Sequence, residues 1–190
     1  YAEWHPRAAA RTRGLLLQGR SDAFSASVLE TVLVGRHPHV WRFGWEGEED
    51  RRIAADAIAR MDLAAAVDRD VLTLSGGERQ RAALAALLAQ DPLLFLLDEP
   101  TAHLDLAHQA TLFEHLRELT RTAGRSVVFA THDCNLAARF ATHALLVCGE
   151  GRTRAGKVAD VLQAQTLSEL FGFPLAWLRS EGAEGFVPRW

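Results

Sequence analysis

The sequence predicts an α/β fold organised around a parallel sheet, and two observations carry that expectation. Between residues 91 and 148, apolar runs of strand length alternate with helical stretches, the pattern of strands joined by helical crossovers. Leu93–Leu97 is apolar throughout, and Ser126–Thr131 nearly so, as strands covered on both faces are.

Taken in order, residues 1–13 are polar and basic with weak periodicity. Residues 14–18 read as a short buried strand ending at polar Gln18. Residues 21–27 are small and polar, hence a loop. Ser27–Gly35 reads as a helix with Val28, Val32, Leu29 and Leu33 inward, broken at Arg36-His37-Pro38-His39. Glu48–Met61 is an amphipathic helix: Ile53, Ala57, Ile58 and Met61 share one face, and Glu48, Glu49 and Asp50 lie where the helix dipole favours acids. Ser75–Gln90 is an alanine-rich helix, Asp91-Pro92 a turn and Leu93–Leu97 a strand. Leu106–Thr122 is a helix with Ala110, Phe113, Leu116 and Leu119 inward, Ser126–Thr131 a strand, Asn135–Phe140 a helix and Ala144–Cys148 a third strand. Beyond Gly149 the pattern is less regular, with short helices over 158–165 and 166–171.

Composition narrows the function. The chain has 190 residues, 48% of them hydrophobic, enough for a substantial core. A net charge of −3 argues against a sequence-independent nucleic-acid binder. The two cysteines, Cys134 and Cys148, form neither a zinc cluster nor a disulfide framework. The apolar runs fall well short of the ~20 residues a membrane-spanning helix needs.

Polar chemistry collects at element ends. In Leu74-Ser75-Gly76-Gly77-Glu78, Ser75 can cap a helix and Glu78 completes a capping box. The two glycines bare the first-turn amides at the positive end of the dipole, a phosphate site in waiting. Taken alone, an ordinary capped helix explains the segment equally well. Asp98 and Glu99 follow directly on an apolar strand, where open α/β sheets bind ligands. Asp98 is suited to hold Mg²⁺, directly or through water, and Glu99 to orient or deprotonate an attacking water. His132 ends the next apolar strand, where an imidazole can meet a terminal phosphate. The plain alternatives are a charged turn for the acid pair and a structural histidine. Gln18 by itself is a weak signal for sensing Mg²⁺ or water.

In sequence order, Gln18, the S-G-G-E segment, the apolar-D-E-P run, Thr101-Ala102-His103-Leu104-Asp105 and Thr131-His132-Asp133 resemble the Q-loop, signature, Walker B, D-loop and H-loop of ABC-type ATPases. The resemblance covers nearly all of the chain. It implies a P-loop NTPase-like parallel sheet flanked by helices, with an inserted helical subdomain. On it, residues 1–190 are a partial ABC ATPase domain: 20–90 the helical subdomain with the signature, 91–150 the core from Walker B to the H-loop, and 151–190 a C-terminal tail. It implies catalytic roles for Glu99, His132 and Gln18, and Mg²⁺ contacts for Asp98 and Gln18. Ser75, Gly76, Gly77, Glu78 and Asp105 would meet ATP or line the interface. The implied cofactors are ATP and Mg²⁺, and the implied assembly is a head-to-tail homodimer in which each signature grips the nucleotide of the opposite subunit.

Val28–His39 resembles the segment V-x-E-x-V-x-x-G-R-x-P-H of cobalamin, iron–siderophore and haem importers, and Asp105–Gln109 and His132–Arg139 continue the likeness. Cys134 stands where that family usually has leucine, a departure expected to touch packing. The likeness implies a peripheral subunit on the cytoplasmic face of the inner membrane, working with two permease subunits and, indirectly, a periplasmic binding protein. A turn near the docking site of a membrane partner fits His37 and His39 better than a metal pair does, since a third ligand is lacking. Trp41 and Trp45 either join that surface or pack against the subdomain, and the second is the expectation. Two rivals are a non-transport, translation-factor type of ABC protein, which would carry a second cassette, and an inactive remnant.

No Gly-x-x-x-x-Gly-Lys-[Ser/Thr] precedes Gln18. The chain opens at Tyr1 and its one methionine is Met61, so the front of the protein is expected to be missing. Gly151-Arg152-Thr153-Arg154-Ala155-Gly156-Lys157-Val158 mimics that loop but ends in Val158, which has no hydroxyl for Mg²⁺, and it follows Walker B instead of preceding it. It reads as a surface turn between short strands. The 190-residue chain by itself is therefore expected to give no ATP turnover in a phosphate-release assay, and steady turnover would overturn that expectation.

Overall fold

Most of the helices begin at a residue that caps them, and the caps explain where the chain changes direction. A computed structural model describes residues 4–19, 24–40 and 45–190. The chain divides into two units, Tyr1–Ala130 and Thr131–Trp190.

The first unit runs α1 (Pro6–Thr12), β1 (Arg13–Leu16), α2 (Val28–Leu33), α3 (Glu48–Arg60), α4 (Gly76–Gln90), β2 (Leu94–Asp98), α5 (Leu106–Thr122) and β3 (Ser126–Ala130). Helix α1 opens with Pro6 in its first turn, where a missing N–H costs nothing. Ser27 and Glu30 form a capping box on α2, and Ser75 and Glu78 form one on α4. Asp105 caps α5 by accepting from the backbone N–H of His108. At the far end of α4, Asp91 turns the chain in a left-handed conformation, and Arg125 holds its carboxylate.

The three strands form one parallel sheet in the order β1-β2-β3, with Leu16 opposite Leu97 and Leu97 opposite Phe129. Gly14, Leu16, Phe95, Leu97 and Phe129 share the face that α4 and α5 cover. Gly14 lies against Leu87 of α4, and Phe113 of α5 meets Phe129 edge-on at 5.0 Å. Leu15, Leu17 and Val128 belong to the opposite face and are about half exposed (53%, 53% and 57%). The two-sided cover expected of these strands is thus found on one side among the described residues, because α4 and α5 both approach from that side. The Phe113–Phe129 contact also fixes the rotation of α5. Its buried stripe runs through Leu112, Phe113 and Leu116, and Ala110 faces out, contrary to expectation.

The helical layer packs around Val28, Val32, Ile58 and Leu84, all essentially buried. The turn that follows α2 (Val34–Arg36) approaches α4 closely at Gly35. A β-carbon there would stand 2.1 Å from the carbonyl oxygen of Ala86, and a backbone atom cannot step aside.

The second unit holds α6 (Cys134–Phe140), β4 (His143–Val147), β5 (Thr153–Lys157), α7 (Val158–Val161), α8 (Ala164–Phe171), β6 (Leu175–Ser180) and β7 (Ala183–Pro188). Strand β4 pairs antiparallel with β5, and β6 with β7. The third strand of the sequence reading is therefore one arm of a hairpin. The Gly151–Val158 mimic is its turn and second arm, with Gly149, Glu150 and Gly151 in left-handed conformations. The stretch read as irregular contains a second hairpin that packs a core of Val161, Leu162, Leu167 and Phe186. Cys134 packs against that core, and burial pushes its thiol pKa up. The side-chain amide of Asn135 brackets the backbone of Phe186, accepting from its N–H at 2.6 Å and donating to its carbonyl at 3.1 Å.

Replacing Gly35 by alanine is expected to lower stability by about 1–3 kcal/mol, the cost of overpacking a rigid contact. The midpoint of chemical unfolding should fall with an unchanged slope.

Candidate functional site

Strand β2 carries its apolar run straight to Asp98 and Glu99. Parallel pairing puts Asp98 opposite Ala130 and on the same face as Leu15, Leu17 and Val128. Glu99 is not extended. Its φ is +46°, a left-handed conformation that costs a non-glycine residue energy, and its N–H donates to the carbonyl of Ala130 at 3.1 Å. His103, four residues on, is also left-handed, with φ +64°. Such strain gathers where surrounding structure fixes a side chain for a task. No sequence pattern announces it.

The S-G-G-E tip stands against this loop. Ser75 and Gly76 are exposed. A β-carbon on Gly76 would sit 3.5 Å from the His103 ring, and one on Gly77 would sit 2.7 Å from the His103 carbonyl oxygen. Gly77 is therefore required by close packing against the chain's own T-A-H-L-D loop, whatever its amide meets. Gln80 adds a tie, donating from its side chain to the carbonyl of Pro100 at 3.1 Å. Gln18, Gly76, Glu99 and His103 all line one cavity of about 1000 Å³.

Electrostatics sharpen the tip. Glu78 accepts from the Ser75 backbone N–H at 2.8 Å and from the Arg69 guanidinium at 2.8 Å. The Ser75 N–H above all, then its hydroxyl and Arg69, hold the Glu78 carboxyl at about 2. The Asp105 carboxyl is likewise held low, first by the backbone N–H of His108 and then by its ring.

The opposite end of α4 explains the G-R-x-P-H segment. The last carbonyls of a helix lack intrahelical partners. Here Arg36 donates to Ala89 O at 2.7 Å, and the His39 ring lies 2.8 Å from Gln90 O. Arg36 is buried and also donates to Asp50 of α3 at 2.9 Å, which keeps the Asp50 carboxyl below its usual range. Its charge faces the negative end of the helix dipole. The carbonyl of Pro38 accepts from Arg11 of α1 at 3.0 Å. His37 lies 3.5 Å from Glu46, while Trp45, expected to pack, is 92% exposed. Trp41 and residues 21–23 of the predicted loop lie outside the described residues. His132 is exposed and belongs to the second unit.

Residues 5–102 match the family model described as ABC transporter. The hemin import ATP-binding protein of Burkholderia pseudomallei is 41% identical over 188 residues, covering 94% of this chain and 68% of that protein. The chain belongs to the ABC transporter ATPase family. A cobalamin import ATP-binding protein of Halobacterium salinarum is 43% identical over 165 residues, covering 86% of this chain and 41% of that protein. Among solved structures, an inward-facing ABC transporter of the metal-chelate type superposes with a TM-score of 0.82 at 32% identity. That match covers 94% of this chain and 72% of the other. The parallel sheet with its helical layer is thus an ABC ATPase fold, and the hairpin at 151–158 is no phosphate loop.

A prediction follows from the depressed Glu78 carboxyl. Because its folded value of about 2 lies below the ordinary 4.5, the capping box stabilises the fold fully above the ordinary range and loses that contribution as pH falls toward 2. Carboxyl-carbon NMR should show Glu78 titrating with a midpoint near 2, and Arg69→Ala should move that midpoint upward.

Proposed function

We propose that this chain is the ATP-hydrolysing subunit of an importer of a metal chelate such as a haem, a cobalamin or a ferric siderophore. The observation that carries the reading is the acid pair at the end of β2. Asp98 lies on the open sheet face, and Glu99 is held in a strained conformation on a cavity shared with Gln18 and Gly76. The names of the hemin and cobalamin import relatives and the metal-chelate type structural match support the cargo class.

Asp98 fits Mg²⁺ as a single hard carboxylate on an accessible strand end, since this ion takes one or two carboxylates and completes its shell with waters and phosphate oxygens. Bound there with ATP, it would neutralise charge developing on the phosphates. Glu99 orients the attacking water and accepts its proton. Gln18 stands on the same cavity, where it can hold that water or sense the ion. His132 meets the terminal phosphate. Ser75 and Gly76, exposed at the tip of α4, and Gly77 beside them offer amides to the nucleotide of a second subunit. Glu78 keeps that tip capped, and Asp105 faces the partner.

In this reading the subunit works as a head-to-tail dimer beneath two permease subunits, with a periplasmic binding protein delivering cargo. It is peripheral on the cytoplasmic face of the inner membrane. Among the described residues no helix is long and apolar enough to cross a membrane. Residues 20–90 serve as the helical subdomain, 91–150 as the core and 151–190 as the tail.

In a transporter whose subunits carry this chain together with a phosphate-binding loop, Glu99→Gln is expected to retain ATP binding and lose turnover by about 10²–10⁴-fold, the range for removing a general base. Turnover equal to wild type would remove Glu99 from the role.

A further inference from the structure

A second junction joins α4 to the T-A-H-L-D loop, and none of the roles above uses it. His108, in the first turn of α5, has both ring nitrogens engaged. Nδ1 lies 2.8 Å from Oδ1 of Asp105, the oxygen that also accepts the backbone N–H of His108 at 2.9 Å. Nε2 contacts Nη1 of Arg81, which reaches over from α4. Asp62, in the left-handed turn after α3, has its carboxylate 3.6 Å from Nε2 and 3.8 Å from the same guanidinium. The Arg81 side chain is 14% exposed and that of Asp62 is 88% exposed, so the contact with histidine is the sheltered one.

The geometry selects the tautomer. A guanidinium only donates, so the nitrogen facing it must accept. That puts the ring proton on Nδ1, where it donates to Asp105. The opposite tautomer would set an N–H against the Arg81 donors and turn a lone pair on the Asp105 carboxylate. Asp62 does not rescue it, because 3.6 Å is beyond a hydrogen bond. A helix cap needs only the backbone contact at 2.9 Å, so the ring and Arg81 are surplus to capping. What they add is orientation, since two donors from one residue fix both the position and the rotation of the carboxylate.

We infer that His108 is a positioning residue: with its Nδ1–H on Asp105 and its far side buttressed by Arg81 of the signature helix, it sets the orientation of Asp105 and couples that loop to the helix tip. The inference rests on the reading of Asp105 as a residue of the nucleotide-bearing interface.

Two measurements test it. Long-range nitrogen–proton NMR of the full chain should show His108 as the Nδ1–H tautomer near neutral pH, with the preference lost in Arg81→Ala. An Nε2–H tautomer in the unaltered chain would overturn the assignment. In a transporter whose subunits carry this chain together with a phosphate-binding loop, His108→Ala should lower ATP turnover about tenfold, the effect of losing one hydrogen bond to a charged group. His108→Asn puts an amide N–H near the Nδ1 position and should restore most of that loss. His108→Gln puts its amide near Nε2 and should not, although both variants melt alike. Equal turnover of the Asn and Gln variants would reduce His108 to a structural role. Were an assembly whose subunits carry this chain together with a phosphate-binding loop to hydrolyse no ATP, the parent reading would fall, and the tautomer measurement alone would decide for or against His108.

Discussion

The fold depends on how α4 is held at its two ends. At its C-terminal end, carbonyls that the helix cannot satisfy are taken by Arg36 and His39. Close contact at Gly35 leaves no room for the helix to slide. At its N-terminal end, the Ser75–Glu78 box and the approach of Gly77 to His103 set the tip. Between these clamps the helix lies on β1 through Leu87, while Gln90 reaches the backbone of Ala10 and Arg13. A rigid helix converts the grip at one end into a fixed position at the other. The importer-like segment and the signature thus stand at opposite ends of one helix, the first gripping its C-terminus and the second forming its N-terminus.

Much of this was legible before the structure. The start of α4 could be read because a capping box is a local pattern, and β2 because a long apolar run closed by acids has few other readings. The glycine pair was legible only by half. Its bared amides follow from sequence, but the demand of Gly77 for space comes from His103, which only the folded loop brings near. The helix at Pro6–Thr12 carries no apolar stripe to betray it and has no buried residue. The partner of β4 could not be read, since an apolar run says nothing about whether its neighbour runs parallel or antiparallel. The rotation of α5 depends on Phe129, a residue of another element.

The acid pair shows how one strand end can hold two backbone conformations side by side. Asp98 keeps the extended geometry of the sheet and follows its alternation onto the open face. Glu99 leaves that geometry at once, with a positive φ and an N–H still bonded to Ala130. Adjacent acids thereby leave the strand end from two different backbone conformations. The strain is held by the sheet, whose hydrogen bond to Ala130 would be lost if the backbone relaxed.

The register of the sheet also constrains how the chain reaches this state. Arg13 is opposite Leu94, so the first two strands to be neighbours in space are separated in sequence by the whole helical layer. That layer is a closure loop as well as a platform. Until it has condensed, the ends of β1 and β2 are held apart by the entropy of everything between them. The pairing that sets Asp98 in register is therefore a contact of high sequence separation, of the kind that slows folding.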